Sequence, residues 1–137
     1  MGILSLSNFS LNFSLFRSYL TRRDMVYQHH QIRVDKFRTE LHIYLEKNYS
    51  RGEYNVSKLS QDMALSRSQL FRKCKWLLGK SPIQLINEYR LDRARTHLKS
   101  GIYNVSEAAY MSGFNSLSYF TKSFKKQYGE LPSKWVA

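Results

Sequence analysis

Two stretches of this chain spell nearly the same pattern about fifty residues apart, and a duplication of that size leaves few folds open. The first, NVSKLSQDMALSRSQLFRKCKWLLGKSP, runs from Asn55 to Pro82; the second, NVSEAAYMSGFNSLSYFTKSFKKQYGELP, runs from Asn104 to Pro132. Asn55-Val56-Ser57 corresponds to Asn104-Val105-Ser106, Leu65-Ser66 to Phe114-Asn115, and Gly79 and Pro82 to Gly129 and Pro132. The offset is 49 residues at the start and 50 at the end, so the second copy carries one extra residue near its turn. Two copies are too few for a solenoid, which needs at least three to bury a continuous core. A small unit used twice is the remaining reading.

Each copy reads as a short helix, a tight turn and a longer helix. Asn55 is an N-cap candidate, because its side-chain oxygen can accept from the free amides of a first helical turn. Val56, Leu59 and Met63 recur at helical spacing as the inward stripe. The turn falls at Ala64-Leu65, Ser66 caps the next helix, Leu70, Cys74 and Leu77 or Leu78 face inward, and Gly79 ends it. In the second copy Asn104 caps, Val105, Ala108 and Ala109 face inward, and the turn is Ser112-Gly113-Phe114. Asn115 or Ser116 then caps a helix that buries Phe120, Phe124 and Tyr128 and stops at Gly129. Helix, turn with a small residue, helix is helix-turn-helix grammar. Arg67, Arg72, Lys73, Lys75 and Lys80 in the first copy, and Lys122, Lys125 and Lys126 in the second, stand without an acid between Ser66 and Lys80 or between Ser116 and Gly129. One such helix would be an ordinary solvated face; two equivalent helices of one sign point to a polyanion.

With MALSRSQLFRKCKWLLGKSP, INEYRLDRARTHL and NVSEAAYMSGFNSLSYFTKSFKKQYGELPSKW in order, the stretch from about Val34 to Trp135 resembles the DNA-binding domain of the AraC/XylS family of bacterial transcription regulators. The apolar Trp76-Leu77-Leu78 departs from the polar residues common there. The resemblance implies an all-α fold: two homeodomain-like helix-turn-helix subdomains joined by a long central helix. It implies sequence-specific binding of double-stranded DNA for transcription regulation, with activation through RNA polymerase, by recognition helices at about Arg67–Leu78 and Ser116–Tyr128 in successive major grooves. Base contacts are expected from Arg67, Ser68, Phe71, Arg72 and Lys75, with Ser68, Phe71 and Arg72 matching the family pattern, and from Ser116, Leu117, Ser118, Thr121 and Lys122. Phe71 and Leu117 could touch thymine methyls, or be partly buried in the core. Phosphate contacts fall to Asn55, Ser66, Lys73, Lys80, Asn104, Asn115, Lys125 and Lys126.

The 137 residues suit one small domain, or two very small ones and a tail. Of the formal charge of +12, residues 1–32 carry only +2, so the basicity sits in the duplicated region. One cysteine cannot form an internal disulfide and fits a reducing compartment; the resemblance implies a cytoplasmic, nucleoid-associated protein. His29, His30, His42 and His97 lack partners at metal-ligand spacing, and neither a metal nor another cofactor is expected. Gly79-Lys80-Ser81 is no phosphate loop, because the glycine required five positions before Gly79 is Cys74. No nucleophile–base set converges, so the chain does not read as an enzyme. RNA ranks below DNA, since no aromatic platform on a sheet is expected.

Val34, Phe37, Leu41, Tyr44, Leu45 and Asn48 trace one face of a helix over about Arg33 to Tyr49. Ser81 caps and Pro82 opens the central helix, about 82–100, with Ile83, Ile86, Leu91, Ala94 and Leu98 apolar. The units expected are thus 55–79, 82–100 and 104–129 within a domain at 33–137, and a last turn at Pro132 to Val136 with Trp135 covering the second subdomain. Residues 1–32 read as a tail or linker remnant. Five serines and two asparagines in MGILSLSNFSLNFSLFRSYL break any membrane span, and the basic cluster follows the apolar stretch, against signal-peptide order. The domain is expected to bind as a monomer, with self-association through residues 1–32 or a further domain. The alternative reading is an interaction protein that pairs through residues 1–32 with a larger regulator.

Overall fold

The structure, a computed structural model, describes residues 21–137 as six α-helices and a closing 3-10 turn, with no strand among these residues. The helices are α1 (Arg22–Asn48), α2 (Val56–Asp62), α3 (Arg67–Leu78), α4 (Pro82–Lys99), α5 (Val105–Met111) and α6 (Leu117–Tyr128), and the 3-10 turn is Pro132–Trp135. The expectations for residues 1–20 lie outside the described residues. None of the helices is long and apolar enough to cross a membrane. The chain divides into two compact units, residues 1–36 and 37–137.

In the first unit the helix begins at Arg22, eleven residues ahead of the expected start near Arg33. Its cause is local: Thr21 Oγ1 accepts from the amide of Asp24 at 3.2 Å, and Asp24 Oδ2 accepts from the amide of Thr21 at 3.0 Å. This reciprocal box satisfies two amides that a helix start otherwise leaves open. The hydrogen bond from Thr21 holds the Asp24 carboxyl below its ordinary range. Met25, Val26, Tyr27 and Ile32 are exposed, so no apolar stripe marks this part of the helix.

The second unit has two cores. Phe37, Leu41 and Leu45 of α1 meet Tyr54, Leu59, Leu70, Cys74 and Ile86 in the first. Leu91, Ala94 and Leu98 of α4 meet Ala108, Ala109, Phe114, Phe120 and Phe124 in the second, with Trp135 packed against it. Each large apolar side chain so buried contributes about 1.5–3 kcal/mol. Helix α4 therefore belongs to both cores, Ile86 to one and Leu91 onward to the other. Ile83, expected among its apolar contacts, is half exposed instead. Ser81 and Gln84 form a reciprocal cap at its start, with Pro82 in the first turn where no amide is missed.

The two copies superimpose in element order, and the extra residue of the second is Asn115. Leu65 and Phe114 make the same backbone bond, to the carbonyls of Ser60 and Ala109 at 2.9 and 3.1 Å. The following caps are Ser66 and Ser116, so Ser66 pairs with Ser116, not with Asn115 as the sequence alignment has it. Ala64 and Gly113 occupy the same turn position and both have positive φ, 55° and 89°.

Candidate nucleic-acid interface

From Ser66 and Ser116 onward the two long helices match at a constant offset of 50: Leu70 with Phe120, Cys74 with Phe124, Gly79 with Gly129. The inward positions are all buried, which orients everything else. At about 3.6 residues per turn, Ser68, Arg72 and Lys75 project opposite Leu70 and Cys74, and Ser118, Lys122 and Lys125 project opposite Phe120 and Phe124. All six are exposed. Arg67, Lys73 and Lys126 are exposed at the flanks, and Phe71 is 49% exposed beside Arg72.

Electrostatics favour an anion on this face. Ion pairs join Lys80 and Glu88 at 2.8 Å, Arg95 and Asp92 at 2.6 Å, and Arg93 and Glu46. None involves α3 or α6. Engaged acids lie on the other helices: Glu46 on α1, Asp62 on α2, Glu88 and Asp92 on α4 and Glu107 on α5. Tyr89, then Arg93, hold the Glu46 carboxyl below its ordinary range. Lys99 lies 5.0 Å over the Trp135 ring and Arg95 5.0 Å over that of Tyr128, so these α4 cations are occupied too.

Several expected contacts take other roles. Leu117 is half buried and packs on the second core, while its counterpart Arg67 is exposed. Thr121 is half buried, and its hydroxyl donates to the Leu117 carbonyl at 2.9 Å. Ser116 accepts from the amide of Tyr119 at 3.2 Å, Ser66 from that of Gln69 at 3.1 Å, Asn55 from that of Lys58 at 3.0 Å and Asn104 from that of Glu107 at 2.9 Å. These four are helix caps first. Asn115 donates Nδ2 to the carbonyl of Gly52 at 3.2 Å, and Lys80 is paired with Glu88. Both side chains are exposed and each has a partner within the protein. Trp76, singled out by its departure from the polar residues common there, is 60% exposed one turn beyond Arg72 and matches Lys126 at the offset of 50.

Cys74 is fully buried, and burial pushes its thiol up to about 11. It serves the core as a small apolar side chain. Among the described residues no group of three or more His, Cys, Asp or Glu side chains is placed to hold a metal.

A family model described as a helix-turn-helix domain matches residues 59–137. A probable AraC family transcriptional regulator from Rhodopseudomonas palustris CGA009 is similar in structure: TM-score 0.64, 27% identity, 72% of this chain and 92% of that one covered. The chain belongs to the AraC/XylS family of helix-turn-helix domains. The DNA-binding domain of AdpA, solved in complex with a target DNA, is likewise similar to this AraC-type chain, with TM-score 0.65 and 25% identity over 71% of this chain and 86% of that one. The histidine kinase P4 of Formosa agariphila is 36% identical over 91 residues, which are 66% of this chain and 7% of that protein. The matched region spans a third or less of the curated relatives' own length.

Proposed function

We propose that this chain binds double-stranded DNA at a bipartite sequence and regulates transcription, with α3 and α6 as recognition helices in successive major grooves. One observation carries the reading: two helices matched residue for residue present Ser68 with Ser118, Arg72 with Lys122, and Lys75 with Lys125 outward, free of acids and ion pairs. Arg72 supplies a bidentate contact to guanine, and Phe71 an apolar contact to a thymine methyl. Lys73, Lys125 and Lys126 hold phosphates and set the register without reading sequence. Likeness to regulators of the AraC family, and to a domain solved with its target DNA, supports this. As part of the same proposal, the regulatory outcome is activation through contact with RNA polymerase, on nucleoid DNA in the cytoplasm.

The test is selection of bound sequences from random duplexes with the whole chain. The reading expects an enriched site with two half-sites about 10–10.5 bp apart, bound by one chain. Enrichment of a single half-site, or of nothing, overturns it.

A further inference from the structure

We infer that Arg90, Gly113 and Asn115 form a latch between the two helix-turn-helix subdomains that sets the separation and angle of α3 and α6; this rests on the two-helix reading above. These are positioning residues, and none of them needs to touch DNA.

Arg90 lies on α4 and is 7% exposed. Its Nε donates to the carbonyl of Tyr49 at 3.1 Å, and its Nη2 to those of Arg51 at 2.8 Å and Tyr54 at 2.9 Å. All three carbonyls belong to the loop between α1 and α2, in the first subdomain. The turn of the second subdomain lies on the same loop. A Cβ at Gly113 would stand 2.0 Å from Tyr49 O and 2.8 Å from Arg90 Nε, so only glycine permits this approach. Two residues on, Asn115 donates to Gly52 O at 3.2 Å. Asn87 of α4 donates Nδ2 to the hydroxyl of Tyr119, in the first turn of α6, at 2.9 Å.

Helix α4 already joins the cores, Ile86 to one and Leu91, Ala94 and Leu98 to the other. The contact of loop 49–54 with turn 112–115 is a second path between the subdomains, and two paths resist bending between them better than one helix alone. Asn115 is the one residue by which the second turn exceeds the first. The first copy passes directly from Leu65 to its cap Ser66 and has no counterpart. The duplication is asymmetric at the place where the second unit meets the first.

The test uses Gly52→Ala combined with Asn87→Ala. A Cβ at position 52 meets Asn115 Oδ1 at 2.1 Å and Cγ at 2.9 Å, the free end of a side chain that can swing away, and the backbone there is not left-handed. The fold survives while both outer ties are lost. Spin labels go on Gln61→Cys of α2 and Gln127→Cys of α6, both exposed, with native Cys74 buried and unlabelled. The parent is expected to give a narrow distance distribution and the double variant one at least about twice as broad. Affinity for a selected bipartite duplex should fall about tenfold, as effective concentration drops when two linked heads lose their mutual order, while affinity for a single half-site changes by less than about twofold. A second variant, Arg90→Met, removes the inner tie to the carbonyls of Tyr49, Arg51 and Tyr54; an unchanged distribution in both variants overturns the latch. A broadened one with unchanged bipartite affinity also overturns it, because the contact would then not set the spacing on DNA. If no bipartite duplex is selected even by the parent, the two-helix reading fails, and the distance distribution still decides whether the subdomains are latched.

Discussion

Replacing Gly113 by alanine puts a methyl carbon 2.0 Å from the carbonyl oxygen of Tyr49 and 2.8 Å from Nε of Arg90. Two costs add. The first is conformational: φ is 89°, and a side chain in left-handed backbone costs roughly 1–2 kcal/mol. The second is displacement of a carbonyl that accepts from a buried guanidinium at 3.1 Å, and a hydrogen bond to a charged group is worth about 1.5–3 kcal/mol. Gly113→Ala should therefore destabilise by about 2.5–5 kcal/mol, a large part of the ~5–15 kcal/mol that holds a domain folded. Gly79→Ala isolates the first cost. Its φ is 73° and nothing lies within 4 Å of the added carbon, so it should lose only about 1–2 kcal/mol. Ala64 shows that the turn itself accepts a side chain, at φ 55° in the first copy, where the position is exposed. Urea titrations followed by far-ultraviolet circular dichroism measure all three proteins. If Gly113→Ala costs no more than Gly79→Ala, the turn does not rest on the Tyr49 carbonyl and the packing argument fails.

Arg72→Ala should lower affinity for the selected site by about 1–3 kcal/mol and relax preference at one base pair, whereas Lys126→Ala should weaken all sequences alike and reduce the salt slope by about one. Equal losses on selected and scrambled duplexes for Arg72→Ala would remove it from base reading. Cys74 has a thiol raised by burial from 9.0 to about 11, so the folded state keeps its proton where the unfolded chain gives it up. Its contribution is complete below the unfolded value and is lost as pH rises through that window. Comparing urea midpoints of parent and Cys74→Ala between these pH values checks it, and parallel curves would contradict it.

The duplicated helices were legible because several independent codes agree there. Caps at Asn55, Ser66 and Asn104, inward residues at Leu59, Leu70, Phe120 and Phe124, and glycines at both helix ends each point to the same boundaries. The start of α1 was not legible from periodicity, because Met25, Val26, Tyr27 and Ile32 are all exposed; the Thr21–Asp24 box was the available sign. Leu117 was ambiguous in sequence because its helix turn carries both a core position and a reading position, and it is half buried against Phe120's core. The roles of Arg90 and Asn115 could not be read at all. Their acceptors lie 36 to 41 and 63 residues away, distances at which no local pattern carries information. Lys80 likewise looked free because Glu88 is two helical turns away along α4.

The central claim is that one chain reads two half-sites with a fixed separation. Helix α4, 18 residues and so about 27 Å long, is near the ~34–36 Å between successive major-groove faces, and both recognition helices are offset from its ends. Inserting about five base pairs between the half-sites turns the second to the opposite side of the duplex, at half the helical repeat. A band-shift titration of the whole chain against the selected site and this insertion measures affinity and stoichiometry together. The account predicts one chain per parent duplex, and affinity for the insertion reduced to that of a single half-site. Equal affinity for both duplexes would contradict it, because the two helices would then not be reading DNA as one unit.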